Sequence, residues 1–254
     1  MESLRGKVAL VIGGNSGLGR ASAVALAAAG AKVMVAARRV PEGLAVVEQL
    51  QASGAEAAYF AVDVTDEAQL AAVVAATVAR FGRLDCAVNS AGISEDVAPP
   101  TEVDGDLFDR TMAVNVRGTL LGMKHQIRQM LAQGDGGAIV NTASVAGLVG
   151  AATMPAYTAS KHGVVGLTKA AALEYAKRNI RVNAVCPGVV RTAMTERAVA
   201  QRPERAAFID NLHPMGRIAA PAELVEAVQF LASDAAGFVT GQVLTVDGGR
   251  GLLE

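Results

Sequence analysis

Short apolar runs alternate with longer segments of helical period along almost the whole chain. Runs such as 8–12, 32–36 and 84–88 are apolar at nearly every position, which is typical of strands that are buried on both faces. Each run is followed by a segment in which apolar residues recur every three or four positions, the period of a helix. Strands and helices that alternate in this way form a parallel sheet with helices on both faces.

The alternation predicts further strands at 57–62, 138–141, 181–186 and 242–246, and helices at 18–29, 42–51, 67–80, 107–133, 156–177 and 222–232. No Pro-, Ser- or Gly-rich linker interrupts the series, so we predict one domain over residues 1–254. The predicted fold class is α/β, a Rossmann-like doubly wound parallel sheet. In such sheets, ligands bind beyond the carboxyl ends of the strands, and the residues that follow each apolar run are therefore the candidates for a functional site.

The composition excludes several classes of protein. Hydrophobic residues make up 52% of the 254 residues and charged residues 19%, which is too apolar for a disordered chain. The 23 Lys and Arg residues are balanced by 24 Asp and Glu residues, so no basic surplus is present to bind the phosphates of a nucleic acid. No stretch reaches the ~18 uninterrupted apolar residues of a membrane span. We therefore expect a cytoplasmic protein with no nucleic-acid partner and no membrane association.

The cysteine and histidine residues do not indicate a metal site. Cys86 and Cys186 lie in apolar runs, and two cysteines cannot build a disulfide framework or a four-ligand zinc site. His125, His162 and His213 are scattered and lack the spacing of zinc ligands. We interpret the two cysteines as small core residues and expect no bound metal.

A glycine-rich turn follows the first predicted strand and opens the first predicted helix. Its spacing, G-x-x-x-G-x-G, allows the backbone to approach a pyrophosphate, while the positive end of the helix faces the phosphate charge. Any tight turn could use the same glycines, but the position in a βαβ unit favours a phosphate site. The predicted cofactor contacts are Gly13, Asn15, Ser16, Gly17, Leu18 and Gly19.

The end of the second predicted strand indicates which dinucleotide binds. An acidic residue at this position would bind the 2′-hydroxyl of the adenosine ribose. Here the strand ends in Arg38 and Arg39 without a carboxylate, and the forked donors and fixed charge of arginine suit a 2′-phosphate. We therefore predict NADP(H) as the cofactor. NAD(H) is the alternative if both arginines are simply solvated at the strand end.

Residues after the third and fourth predicted strands complete the predicted adenosine and ribose site. Asp63, which Val64 follows, either accepts a hydrogen bond from the adenine amino group or caps the helix that begins near residue 65. Asn89, Ala91 and Gly92 supply small residues where a cofactor would cross the edge of the sheet. A plain turn would use such residues too.

A hydroxyl, a phenol and an ammonium group follow the fifth predicted strand. Ser144 lies at its carboxyl end, and Tyr157 and Lys161 lie on the next helix, four positions apart and therefore on one helical face. An ammonium group near a phenol favours the phenolate and lowers the phenol pKa. Tyr157 is then a candidate proton donor and acceptor for a carbonyl and alcohol pair, with Ser144 bonded to the same oxygen. A structural pair, with the Lys stem packed on the ring, is the alternative.

Taken together, these motifs resemble the short-chain dehydrogenase/reductase family. The family pattern occurs in order over residues 7–249 as Gly13-xxx-Gly17-Leu-Gly19, Asn89-Ser-Ala-Gly92, Asn115, Ser144, Tyr157-xxx-Lys161, Pro187-Gly188 and Val246-Asp-Gly-Gly249. The chain departs from the pattern at Ile12, where Thr is usual, and at Ser90, where a second Asn is usual. It also has Ala37 where NAD-preferring members carry Asp, which supports NADP(H).

The resemblance implies a role for each catalytic candidate. Tyr157 would be the general acid and base, and Lys161 would lower its pKa and bind the nicotinamide ribose. Ser144 would position the substrate oxygen. Asn115, which only the family pattern singles out, would hold a water that links Lys161 to solvent.

The resemblance also implies the surroundings of the nicotinamide and the assembly of the protein. The nicotinamide would be bordered by Pro187, Gly188, Val190 and Thr192, with Thr192 reaching the carboxamide. Helices pair between subunits in this family, so a homotetramer is expected.

The segment 190–218 lacks a clear strand and contains Met194 and Phe208 beside charged residues. Long excursions in compact domains tend to be functional, so we predict a substrate lid here. A packed pair of surface helices is the alternative. Ala151, Met154 and Val189 would line the same pocket with Ser144 and Tyr157, which indicates an uncharged substrate that is moderately bulky or cyclic.

These observations predict an oxidoreductase that transfers a hydride between NADP(H) and a ketone or secondary alcohol. The enzymatic alternatives are a 3-oxoacyl thioester reductase and an NAD-dependent alcohol or cyclic diol dehydrogenase. The alternative from another class is a nucleotide-binding sensor without catalytic activity. The presence of both Tyr157 and Lys161 argues against the sensor.

Overall fold

Seven parallel strands form one sheet in the part of the chain that the computed structural model describes, residues 3–192, 195–196 and 209–253. The strands are β1 Val8–Ile12, β2 Lys32–Ala37, β3 Ala57–Ala61, β4 Cys86–Asn89, β5 Gly137–Thr142, β6 Ile180–Pro187 and β7 Val243–Val246. Their order in the sheet is β3-β2-β1-β4-β5-β6-β7. Because β1 pairs with β2 on one side and with β4 on the other, the direction of winding reverses there, and a cleft opens beyond the strand ends.

Helices cover both faces of this sheet, as the sequence predicts. They are α1 Gly17–Ala28, α2 Val40–Ala52, α3 Glu67–Phe81, α4 Gly105–Met112, α5 Gly118–Gln133, α6 Pro155–Tyr175 and α7 Pro221–Ala232. Alternate residues of β1 point into two separate cores: Val11 packs in a cluster with Leu26 of α1, and Leu10 packs in a cluster with Leu70 of α3. Burial on both faces explains why this strand is apolar throughout.

The helix predicted over 107–133 is divided into three parts. Helix α4 ends at Met112, a π-helical turn covers Ala113–Arg117, and α5 begins at Gly118. The wide turn contains Asn115, whose side chain bonds to both the N–H and the carbonyl of Ile93 at 2.8 and 2.9 Å. Such turns are rare and often lie at functional sites. An apolar period alone cannot predict them, because the period continues through the turn.

The two cysteines lie in the core as predicted. Cys86 is 1% exposed and Cys186 is 0% exposed, and neither forms a disulfide. Among the helices in the described ranges, none has both the length and the apolar character that a bilayer crossing requires.

Leu10→Ala should destabilise the protein, because Leu10 in β1 is 0% exposed and its truncation leaves a cavity between the sheet and α3. We expect a loss of about 2–5 kcal/mol in the free energy of unfolding, measured by urea denaturation with circular dichroism. The control is Leu44→Ala on α2, which is 46% exposed and should change stability by less than about 0.5 kcal/mol. Equal losses in the two variants would contradict this description of the core.

Candidate active site

The glycine-rich turn after β1 is shaped by a close approach of two backbones. Gly13 has a φ of +82°, and a Cβ there would lie 2.5 Å from the amide nitrogen of Ala91, beyond β4. A Cβ on Gly19 would lie 2.1 Å from the Gly13 carbonyl oxygen. Neither position can carry a side chain without displacing the backbone. The turn therefore leaves an open cradle of main-chain atoms at the cleft.

The end of α1 that faces this cradle can receive an anion. Ser16 occupies the N-cap position, but its side chain makes no capping hydrogen bond and is exposed. The N–H groups at the positive end of α1 therefore receive no hydrogen bond from the side chain of the cap residue. Gly17 has a φ of +51° and lies near Thr192, whose Cγ2 would be 3.8 Å from a Cβ at that position. These features fit a dinucleotide phosphate.

The two arginines after β2 are in different environments. Arg39 pairs with Glu42 in the first turn of α2, with 2.9 Å between Nη1 and Oε1. Arg38 is 64% exposed, and its nearest acidic atom, Oδ2 of Asp63, is 4.0 Å away. Of the two guanidinium groups, Arg38 therefore has the longer and weaker ion pair.

Asp63 does not cap α3, which was one of its two predicted uses. Its carboxylate accepts hydrogen bonds from the N–H and the hydroxyl of Thr65, and the Thr65 N–H is the main cause of its lowered pKa. Asp66 caps the helix instead, accepting from the N–H groups of Ala68 and Gln69. Because α3 begins at Glu67, its N-cap position is Asp66, three residues after Asp63.

The side chain of Asn89 belongs to a buried polar network. Its amide donates to Asn141 of β5 at 2.9 Å and exchanges hydrogen bonds with Gln126 of α5. The neighbouring residues Ala91 and Gly92 are at the cleft. A Cβ on Gly92 would lie 3.6 Å from the ammonium nitrogen of Lys161, so the turn after β4 reaches the catalytic candidates.

Tyr157 and Lys161 lie on one face of α6, as predicted from their spacing. The Lys161 ammonium nitrogen is 5.5 Å from the centroid of the Tyr157 ring, and it donates a 2.8 Å hydrogen bond to the carbonyl of Thr142 at the end of β5. Lys161 is 5% exposed, and burial lowers its pKa to about 8. The ammonium group therefore faces the ring and the end of the strand.

The pKa of Tyr157 is raised, contrary to the expectation from the sequence. Burial of the phenol is the largest cause, and the Ser144 hydroxyl opposes it by a hydrogen bond to Tyr157. Cys186 and Asp96 raise the pKa further. The expectation counted the charge of Lys161 but not the burial of the phenol, which can be read only from the tertiary structure.

Asn115 connects to Tyr157 through one intermediate side chain. The amide nitrogen of Asn115 donates to Oγ of Ser160 at 2.9 Å, and the Ser160 hydroxyl donates to the main-chain carbonyl of Tyr157 at 2.7 Å. The main-chain carbonyl of Asn115 accepts from the Thr119 hydroxyl. The π-helical turn is thus tied to the helix that carries Tyr157.

The segment after β6 contains the predicted nicotinamide contacts. Pro187 ends β6, and the Gly188 amide donates to the carbonyl of Val246. The Val190 side chain is 6% exposed and packs in the cluster that contains Val11 and Leu26. Thr192 lies opposite the glycine-rich turn, near Gly17.

The predicted substrate pocket is described only in part. Ala151 and Met154 are half-buried beside the start of α6, where a substrate could reach Tyr157. Met194 and Phe208 lie outside the described residues, as does much of the predicted lid over 190–218.

Comparison with known proteins now decides the family. A family model described as enoyl-(acyl carrier protein) reductase matches residues 12–250. The chain is 47% identical over 249 residues to a 2,5-dichloro-2,5-cyclohexadiene-1,4-diol dehydrogenase of Sphingobium indicum, with 98% of both chains covered. The chain belongs to the short-chain dehydrogenase/reductase family. It is an oxidoreductase that acts on CH–OH groups and uses a nicotinamide cofactor.

Solved structures of family members agree with this fold. The crystal structure of a levodione reductase matches with a TM-score of 0.93 and 39% identity, over 99% of this chain and 100% of that one. The structure of ElxO with NADP bound matches with a TM-score of 0.91 and 32% identity, over 96% of this chain and 98% of that one. The predicted family and fold class are both confirmed.

His213 is a residue of this site that the sequence analysis did not single out. The Val189 N–H donates to Nε2 of His213 at 3.0 Å, and a Cβ on Gly188 would lie 2.6 Å from the same atom. Because Nε2 accepts, Nδ1 carries the proton of the neutral ring. Burial and the charge of Arg250 lower the His213 pKa. A lone histidine between Leu212 and Pro214 has no sequence pattern that would reveal this contact.

Replacement of His213 by Gln should reduce the sensitivity of the protein to acid. A lowered His213 pKa means that its contribution to stability is complete above the unfolded-state pKa of about 6.5 and is lost as the pH falls below that value. Glutamine can accept the same hydrogen bond from Val189 without titrating. We expect the fall in Tm from about pH 7.5 to about pH 5.5 to be smaller in His213→Gln than in the wild type. His162→Gln, at an exposed histidine, is the control, and an unchanged fall in His213→Gln would refute the assignment.

Proposed function

We propose that this protein is an NADP(H)-dependent oxidoreductase that interconverts a ketone and a secondary alcohol. The observation that carries the proposal is the position of Lys161, whose ammonium group lies over the ring of Tyr157, 5.5 Å from its centroid, and donates to the carbonyl of Thr142 at the end of β5. Ser144 follows the same strand and lowers the pKa of Tyr157. The cleft beside them contains the glycine-rich cradle and the open end of α1.

Each residue has a role that its surroundings support. Tyr157, whose raised pKa keeps the phenol protonated, donates its proton to the carbonyl oxygen in reduction and removes it from the alcohol in oxidation. Ser144 donates a hydrogen bond to the same oxygen and orients the substrate. Lys161 keeps a positive charge beside the ring, which favours the phenolate after the proton has left. The nicotinamide supplies or accepts the hydride when it is bound.

Asn115 stabilises the position of Tyr157 through Ser160. Its side chain bonds to Ile93 and Ser160, and the proposed water link from Lys161 to solvent rests on the resemblance to the family. Its side-chain bonds support a structural contribution as well.

The preference for NADP(H) rests on Arg38. This side chain is exposed and its ion pair with Asp63 is long, at 4.0 Å, so it can turn toward a 2′-phosphate. Arg39 is engaged with Glu42. The NADP-bound structure of ElxO is a family precedent for this cofactor. NAD(H) is the alternative cofactor.

We propose an uncharged cyclic or moderately bulky alcohol or ketone as the substrate. The Sphingobium indicum relative is named for a cyclic diol, and the half-buried Ala151 and Met154 beside α6 offer apolar contacts. The description of the matching family model favours an acyl thioester as the second candidate. A panel that contains cyclic alcohols, cyclic ketones and a 3-oxoacyl thioester separates the two candidates.

A homotetramer is the assembly that we propose. Leu120 and Leu131 on α5 and Leu173 on α6 are 45%, 37% and 84% exposed in one chain, and burial of such side chains against a second copy would be favourable.

Tyr157→Phe should abolish turnover and leave nucleotide binding nearly intact, because it removes only the hydroxyl that transfers the proton. We expect kcat to fall by at least about 100-fold on any substrate of the panel, with NADPH affinity unchanged by fluorescence titration. Tyr175→Phe, near the end of the same helix, is the control. Unchanged activity in Tyr157→Phe would refute the mechanism, and binding without turnover in the wild type across the panel would support the sensor alternative.

Arg38→Ala should weaken NADPH far more than NADH, because only NADPH carries the 2′-phosphate. A lost charge-assisted contact corresponds to about a 10-fold or larger rise in Kd for NADPH, measured by titration with both nucleotides. Arg39→Ala is the matched control and should have the smaller effect, since Arg39 pairs with Glu42. Equal effects of Arg38→Ala on the two nucleotides would overturn the NADP(H) assignment.

A further inference from the structure

Asp96 is a buried carboxylate in the loop between β4 and α4. It is only 2% exposed, and its Oδ2 accepts a 3.1 Å hydrogen bond from the main-chain N–H of Tyr157. Its Oδ1 is buried and has no hydrogen-bond partner among the described residues. An exposed loop acid would normally be solvated, so this burial requires an explanation.

The contact joins Asp96 to the first turn of α6. Met154 occupies the N-cap position of this helix and has no side chain that could cap it. One of the free N–H groups of that turn belongs to Tyr157, and Asp96 supplies the missing acceptor from a distant part of the chain. The main-chain N–H of Tyr157 is thus held by Asp96, and its carbonyl is held by Ser160.

The same loop is held at two further points. The N–H and the carbonyl of Ile93 both form hydrogen bonds with the side chain of Asn115. The Ala98 N–H donates to the carbonyl of Thr153 at 2.9 Å. Thr153 has a φ of +64°, which is unusual for a residue other than glycine. These contacts place Asp96 firmly against α6.

The charge of Asp96 also acts on the phenol. The groups that face Tyr157 are the Ser144 hydroxyl beyond β5, Cys186 of β6, Lys161 of α6 and Asp96. Burial raises the pKa of the Cys186 thiol to about 11, so the thiol is uncharged at neutral pH. Among these groups Asp96 is the negative charge, and a negative charge disfavours the phenolate.

We propose that Asp96 is a positioning residue for Tyr157. Asp96 anchors the first turn of α6 through the Tyr157 N–H, and its negative charge acts on the catalytic phenol. The proposal rests on the proposed role of Tyr157 as the acid and base. It explains why a carboxylate is buried with one oxygen unpaired, an arrangement that costs stability unless it serves another purpose. The consequence is that Tyr157 stays protonated, ready to donate, to a higher pH.

Asp96→Asn and Asp96→Ala separate the two effects. Asparagine keeps an acceptor for the Tyr157 N–H but removes the charge, so the rising limb of kcat against pH in alcohol oxidation should move to lower pH, with Tm nearly unchanged. Alanine also removes the anchor, so kcat should fall by about 10-fold or more. The matched control is Glu95→Gln, since Glu95 is exposed and pairs with Arg110; its pH profile should superimpose on that of the wild type.

A second measurement needs no substrate. Phenolate absorbance is titrated in the wild type and in Tyr157→Phe, and the difference isolates the ionisation of Tyr157. The same difference between Asp96→Asn and the Asp96→Asn, Tyr157→Phe double variant should show ionisation at lower pH. An unshifted difference curve would overturn the charge effect, and an unchanged kcat in Asp96→Ala would overturn the anchor. Because the titration is independent of turnover, it decides the charge effect even if the proposed reaction is wrong.

Discussion

The backbone contact between the turns that follow β1 and β4 is the constraint on which the site depends. Gly13 approaches Ala91 so closely that a Cβ at Gly13 would lie 2.5 Å from the Ala91 nitrogen. The contact occurs where the winding of the sheet reverses. It therefore brings the phosphate cradle and the strand ends that carry the catalytic candidates within reach of one extended ligand. Without glycine at this position, the two turns would separate and the cleft would lose its shape.

Tyr157 is oriented through its main chain as well as through its side chain. Its N–H and carbonyl are bonded by Asp96 and Ser160, and Ser160 is held in turn by Asn115 in the π-helical turn. These bonds come from three separate parts of the chain, so a displacement of the loop after β4 or of the turn before α5 would be transmitted to the phenol. Pre-organisation of this kind is what a proton-transfer residue requires.

The electrostatics of the site follow from burial more than from pairing. Burial lowers the pKa of Lys161 to about 8 and raises the pKa of Tyr157, so at neutral pH the ammonium group is still charged and the phenol is neutral. The Ser144 hydroxyl acts in the opposite direction on the phenol, and Asp96 reinforces the effect of burial. The protonation of Tyr157 is thus a balance between burial, the Ser144 hydroxyl, Cys186 and Asp96, and a change in one of these residues should be visible in the pH dependence of the reaction.

The sequence by itself determined the fold class, the bounds of β1 and most of α1, the glycine-rich turn and the pairing of Tyr157 with Lys161. Those features depend on local periods and on residue types at fixed spacing, which are present in the chain before it folds. Asn115 needed the family pattern, since nothing in its neighbours distinguishes it from other helical residues. The π-helical turn, the contacts of Asp96 and His213, and the raised pKa of Tyr157 were decided only by the tertiary structure. Each of them depends on burial or on a hydrogen bond between residues far apart in the chain, and neither quantity is encoded in any local stretch of sequence.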